Sequence, residues 1–265
     1  MIISTAMIID DFKFAINNRR AWWYTATSRT RARFARTTLG SFWLGFSNLL
    51  SISTLGFVYG TVFKVKDFSS YFVYLGIGLV IWNTISSSVC MAPNLFSNNS
   101  SNIKNMNLRP LFYTLEEWAF QIQTFFQSFL LVFIVLLLFK PVLLINIFTA
   151  SWIPMLNLVL FIYWFPLLLC LISIRYTDLA QLVPIIMQIV FLTSPILYRK
   201  ESLGNIAWIT DVNLFYRILD PLRVSINSGS VNYRESLLIL IINFVGIYFS
   251  LNFLKKSSRK LPFLV

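Results

Sequence analysis

Removing every charged residue leaves six long uncharged stretches, at 37–63, 68–103, 118–139, 141–174, 179–198 and 236–254. A helix needs roughly 20 apolar residues to cross ~30 Å of hydrocarbon, and each stretch meets that length or falls one residue short. A central Arg or Lys would cost about 2.5–3.5 kcal/mol on insertion scales, which accounts for how clean the stretches are. Runs such as "FFQSFLLVFIVLLLF" do not alternate polar and apolar residues as barrel strands would. The sequence therefore predicts an all-α integral membrane fold with six transmembrane helices.

Composition enters at this point because charge needs explaining. Only 12% of residues are charged, against about 25% in soluble domains, yet the net charge is +12. With a mean hydropathy of +0.71, this excess reads as the bias of Lys and Arg toward cytoplasmic span ends, not as a nucleic-acid partner. An even number of spans places both termini on one side. Putting them in the cytoplasm assigns 14 of the 22 basic residues to that side, the direction the bias requires. The opening "MIISTAMII" leads into Asp10 and Asp11 with no cleavage pattern, so the first span is expected to act as its own insertion signal.

The densest cationic segment, "RTRARFAR", borders the first stretch. Arg29, Arg31, Arg33 and Arg36 are expected to anchor the first span and to meet anionic headgroups. Before them, residues 12–27 place Phe12, Ala15, Ile16, Trp22, Trp23 and Ala26 near one helical face. That is the pattern of an amphipathic interface helix, and equally of a helix packed on a partner. Between the second and third stretches, an Asn/Ser-rich segment suits a short cytoplasmic helix from about Asn99 to Leu108, with Pro110 opening the next span. Residues 199–230 are too charged to span and too apolar for a free loop. Short re-entrant outer helices between spans five and six satisfy both facts, and backbone at that depth is tolerated only beside protein or a watery cavity. The chain thus reads as one transmembrane domain: 1–36 the interface helix and arginine flank, 37–254 the six-span bundle, 255–265 a basic tail.

Chemistry is conspicuous by residue type. There is no histidine, no Gly-rich phosphate loop ending in Lys-Ser or Lys-Thr, and no metal-spaced cluster. No catalytic residue and no metal site is predicted, and ATP is not expected to bind this chain. No acid falls at mid-membrane, which disfavours a proton-driven transporter. A membrane-embedded enzyme would need Glu116, Glu117 or Asp178, the acids flanking spans. Arg175 and Asp178, three apart, are spaced to pair, and Cys90 and Cys170 read as small core residues.

The segments "RFARTTLGSFWLGF", "RYTDLAQLVPIIMQIVFLTSPILY" and the semi-apolar outer stretch before the last span, in this order, carry a resemblance. The chain resembles the permease subunit of the ABC exporters of lipid-linked polysaccharides, namely O-antigen, capsule and teichoic acid exporters. It departs at Ser41, where proline is common, and at "VNLFYR", which lacks the usual Asn-Pro. The resemblance implies a homodimeric plasma (inner) membrane permease paired with two copies of a separate ATPase, which carries the ATP and Mg. It implies ATPase docking through Asn99, Asn102, Ile103, Lys104, Asn105, Met106 and Arg109, with a second contact at Arg19, Arg20, Trp22 and Trp23. Arg29, Arg31, Arg33 and Arg36 would meet the lipid diphosphate at its entry. Phe42, Trp43, Phe46, Tyr59, Phe191 and Tyr198 would line the channel, and Trp208, Phe215, Tyr216 and Arg217 would belong to an outer gate. A permease for a drug or simple lipid, and an enzyme acting on lipid-linked sugars, are the alternatives.

Overall fold

Pro110 supplies the fixed φ that starts a helix and lacks the N–H a first turn cannot use, and a helix of 30 residues begins on it. The computed structural model describes residues 13–105, 108–258 and 261, and among these every element is helical. The helices are α1 (Arg19–Phe34), α2 (Phe42–Val62), α3 (Phe68–Met91), α4 (Ser100–Asn105), α5 (Pro110–Phe139), α6 (Leu143–Thr149), α7 (Trp152–Ser173), α8 (Leu179–Thr193), α9 (Trp208–Val212), α10 (Leu214–Ser228) and α11 (Tyr233–Ser258). Asp67 caps α3 by accepting from the Ser70 N–H at 3.1 Å, and α3 runs on through short turns to Asn98.

Among the described residues, five helices, α2, α3, α5, α7 and α11, are long and apolar enough to cross a membrane. The fifth predicted span is different. α8 has 15 residues, a rise of about 22 Å, short of ~30 Å of hydrocarbon. It stops at Ser194, and Ser194, Pro195, Ile196 and Leu197 continue as buried non-helical backbone. Their carbonyls are satisfied from the side: Tyr71 Oη donates to Leu197 O at 2.7 Å, Tyr74 Oη to Pro195 O at 3.1 Å and Tyr198 O at 3.0 Å, and Arg223 Nη1 to Pro195 O at 2.9 Å. Protein donors thus replace the water such backbone lacks.

α3 is the centre of the bundle, with 72% of its span window buried, while α2 and α11 lie on the perimeter at 17% and 22%. The main core packs α3 against α5, α7 and α10 through Val73, Ile77, Ile81, Ile85, Phe129, Phe133, Leu158 and Leu222. α7 and α11 are stapled by amides: Trp164 Nε1 donates to Asn243 Oδ1 at 2.8 Å, and Asn243 Nδ2 to Asn157 Oδ1 at 3.1 Å. Gly246 lies so close to the Trp164 ring that any Cβ there would overlap it, the close helix approach that small residues permit in membranes.

Two boundaries differ from the sequence reading. The N-terminal helix does not end near Thr27. Residues 13–17 are helical, the helix is interrupted at Asn18, whose Nδ2 donates to Phe14 O at 2.9 Å, and α1 then runs through Arg29, Arg31 and Arg33 to Phe34, with Arg36 beyond its end. Phe12 lies outside the described residues. The stretch 141–174 holds the seven-residue α6 before its span. The outer segment does fold back: α10 buries Tyr216, Ile218, Leu219, Leu222, Arg223, Ser225 and Ile226. Asn213 caps it, accepting from the N–H groups of Phe215 and Tyr216 at 3.0 and 3.2 Å and donating to Ser194 Oγ at 2.8 Å. At its other end, Gly229 takes φ 71°, and Lys140 and Asn146 donate to the last carbonyls, of Asn227 and Ile226, at 2.7 and 3.0 Å.

Candidate functional site

A line of polar residues runs down one face of α3 at helical spacing, from Asn83 through Ser86 and Cys90 to Asn94 and Asn98 beyond the helix end. Two cavities open along it. The upper one, about 460 Å³, lies between α2, α3 and α8 and is lined by Ser51, Trp82, Asn83, Ser86, Cys90, Met187, Gln188 and Phe191 among others. The lower one, about 400 Å³, is lined by Arg29, Cys90, Met91, Asn94, Asn98, Asn99, Glu116 and Glu117. Cys90 lines both, so the two adjoin at that residue along the α3 stripe, which runs from the helix-end face toward mid-bundle.

The wall is built by hydrogen bonds between spans. Asn83 Nδ2 donates to Asn48 Oδ1 at 2.7 Å, and Asn48 donates in turn to Ser128 Oγ. Below them, Ser87 Oγ donates to Gln121 Oε1 at 3.0 Å, Gln121 Nε2 to Glu117 Oε1 at 2.8 Å, and Arg29 Nη1 to Glu117 Oε2 at 2.6 Å. The upper cavity carries no charge: the amides and hydroxyls of Ser51, Asn83, Ser86 and Gln188 alternate with Leu55, Leu79, Pro184 and Met187 and with the rings of Trp82 and Phe191, whose centroids are 5.6 Å apart. Charge is confined to the lower end. Such a lining offers hydrogen bonds and ring faces without a strong binding charge, which suits passage better than capture.

The family profile described as ABC-2 type transporter matches residues 23–227, most of the chain. The chain belongs to the ABC-2 type transporter family. No curated protein matches it. As an ABC-2 type transporter it is a multi-pass membrane protein, the permease component of an ABC exporter, and its family implies an ABC ATPase partner.

In this ABC-2 permease the arginines divide. Arg29 is taken by Glu117 and lies 4.2 Å over the Phe120 ring. Arg31, Arg33 and Arg36 are exposed. In the segment after α3, Asn102, Lys104 and Asn105 are exposed on α4, Arg109 is exposed beside the Phe14 ring, and Ile103 is turned into a core with Phe96 and Leu171. Asn99 Nδ2 donates to Leu95 O at 2.8 Å, and Met106 lies outside the described residues. On the interface helices, Arg19, Arg20 and Trp23 are exposed, whereas Trp22 points inward, its Nε1 donating to Ala15 O at 2.9 Å.

Of the aromatic candidates, Phe191 lines the upper cavity. Phe42, Trp43 and Phe46 stand exposed at the start of α2, Tyr59 stacks on Phe63 at its far end, and Tyr198 Oη donates to Leu192 O at 3.1 Å. In the outer segment Trp208 and Arg217 are exposed, Phe215 packs on Trp82, Phe161 and Phe165, and Tyr216 is buried. Arg175 does not pair with Asp178 and lies instead by its neighbour Tyr176. Cys90 is a path residue, not a core one as Cys170 is.

The sequence reading missed Arg223. It is 1% exposed, ion-paired with Asp220, and its guanidinium lies 3.9 Å over the Tyr74 ring. It also missed the α3 stripe, although amides and hydroxyls three and four apart within an uncharged stretch were there to be read.

Proposed function

We propose that this permease moves a lipid-linked polysaccharide of O-antigen, capsule or teichoic acid type across the plasma (inner) membrane, as a homodimer with two copies of a separate ATPase that binds ATP and Mg. The observation that carries this reading is the uncharged lining of the upper path, in which Ser51, Asn83, Ser86 and Gln188 and the rings of Trp82 and Phe191 are set among Leu55, Leu79, Pro184 and Met187. Sugar hydroxyls exchange hydrogen bonds with Asn83, Ser86 and Gln188, and sugar C–H faces stack on Trp82 and Phe191. A path for a drug or simple lipid has no need of this row of amides and hydroxyls.

In this reading both termini are cytoplasmic. The exposed Arg31, Arg33 and Arg36 receive the lipid diphosphate, since guanidinium pairs with phosphate oxygens through two parallel hydrogen bonds. The exposed Asn102, Lys104 and Asn105, with Arg109, Arg19, Arg20 and Trp23, face the ATPase, and Ile103 anchors α4 from within. The perimeter helices α2 and α8 and the open side of the path face the second copy, with Phe42, Trp43 and Phe46 at the entrance. Trp208, Phe215, Tyr216 and Arg217 flank the exit.

The test is reconstitution of the permease with its ATPase in vesicles. Polyprenyl-diphosphate-linked glycans are expected to stimulate ATP hydrolysis and to be carried, with a response that changes with glycan length. Stimulation by simple lipids or drugs, indifferent to glycans, would sink the polysaccharide reading.

A further inference from the structure

Where α1 meets the bundle there is a third cavity, about 400 Å³, separate from the two along α3. It is bounded by Trp22, by Leu111, Leu115 and Trp118 of α5, by Tyr163 of α7 and by Leu251 of α11. α5 begins here, while Leu160 and Tyr163 face the cavity from the middle of α7 and Ile247 and Leu251 from the second half of α11, so the cavity runs from beneath the interface helix into the bundle. Its wall presents almost no polar surface. The two indole N–H groups that could have pointed inward are bonded elsewhere: Trp22 Nε1 donates to Ala15 O, and Trp118 Nε1 to Val159 O, both at 2.9 Å. The Trp22 and Trp118 rings lie 6.2 Å apart.

The cavity offers water almost no hydrogen-bonding partners, and its volume falls within the range of about 300–1,000 Å³ typical of ligand pockets. In a membrane protein the apolar material at hand is the acyl chain. Among the described residues of the cavity wall, the charged one is Arg19. It is exposed, its Nη1 makes a long 3.5 Å bond to Ile16 O, and among the described residues no carboxylate lines the cavity.

We propose that this cavity holds an acyl chain of an anionic membrane phospholipid, whose phosphate is paired by Arg19. The bound lipid fills the space beneath α1 and fixes the interface helix to α5, α7 and α11. This site is independent of the transported substrate.

The test uses the full chain in mild detergent, titrated with phosphatidylglycerol or with phosphatidylcholine of the same acyl chains, and read by native mass spectrometry. One phosphatidylglycerol per chain is expected to survive activation that strips loosely held lipid. Leu160→Trp, which places an indole in the cavity, is expected to abolish that adduct, and a thermal melt checks that the variant folds. Arg19→Gln, on the exposed rim, is expected to lower the preference for phosphatidylglycerol over phosphatidylcholine about tenfold. An adduct indifferent to Leu160→Trp in the folded variant, or a preference indifferent to Arg19→Gln, overturns the proposal.

Discussion

Arg29 on α1 and Glu117 on α5 stand 2.6 Å apart, 88 positions distant in sequence. The pair ties the helix of the arginine cluster to a span, and Glu117 continues through Gln121 to Ser87 on α3. Interface helix, long span and central span therefore share one hydrogen-bonded chain at the mouth of the path.

Glu117→Ala leaves both Arg29 and Gln121 without their acceptor. Glu117 is almost fully buried and Arg29 is 43% exposed, so the cost comes chiefly from the stranded amide and the emptied site, about 1–3 kcal/mol. Thermal midpoints in detergent should fall for Glu117→Ala and fall less for Glu117→Gln, which keeps an acceptor without the charge. Equal midpoints for wild type and Glu117→Ala would show that the chain contributes nothing to holding α1.

Arg223 carries the outer end in the same way. It bonds Pro195 O, pairs with Asp220 and lies against Tyr74, joining α10, α3 and the non-helical stretch after α8. Breaking a buried pair from one side costs about 3–5 kcal/mol, and Asp220's partial exposure places Arg223→Ala near the lower end. Lysine cannot reproduce a flat, forked donor, so Arg223→Lys should rescue little. Limited proteolysis of residues 199–213 reads this directly: both variants should be cut faster than wild type, and an unchanged rate contradicts the role.

These two pairs mark the limit of what the sequence discloses. Uncharged stretches locate the spans because burying charge in hydrocarbon is costly wherever the helix packs, and Pro110 opens its helix by local geometry alone. The length of α8 was hidden because Ser194, Pro195, Ile196 and Leu197 are as apolar as helix, and only the donors Tyr71, Tyr74 and Arg223 make their backbone tolerable. Arg29 was readable as a cation but not as a paired one, since Glu117 comes near it only by packing. Arg223 sat in a segment whose charge suggested exposure.

Asp67 gives a pH dependence outside the membrane. Hydrogen bonds from Ser70, side chain first and backbone second, hold its carboxyl below the usual carboxylate range. A lowered folded-state value means that the unfolded chain takes up the proton first. The cap's contribution is thus present above the unfolded value of about 3.9 and is lost as pH falls through the folded one. The gap in thermal midpoint between wild type and Asp67→Ala should be widest near neutrality and close on acidification. A gap constant down to strong acid would mean that the cap is not ionic.

The path itself can be probed with the protein's own thiols. The chain has two cysteines: Cys90 lines both cavities, and Cys170 is 1% exposed in the core. A small membrane-permeant maleimide should therefore modify Cys90 in the folded protein and spare Cys170, with mass spectrometry locating the adduct. A group added at the junction of the two cavities fills the route, so transport by the permease and its ATPase should fall to background while Cys90→Ala, treated identically, keeps its rate. Replacing Asn83 by Leu removes a wall amide in the upper cavity without blocking it, and should slow transport severalfold with the ATPase still bound. If Cys90 is modified to completion and transport continues undiminished, the cavities along α3 are not the route.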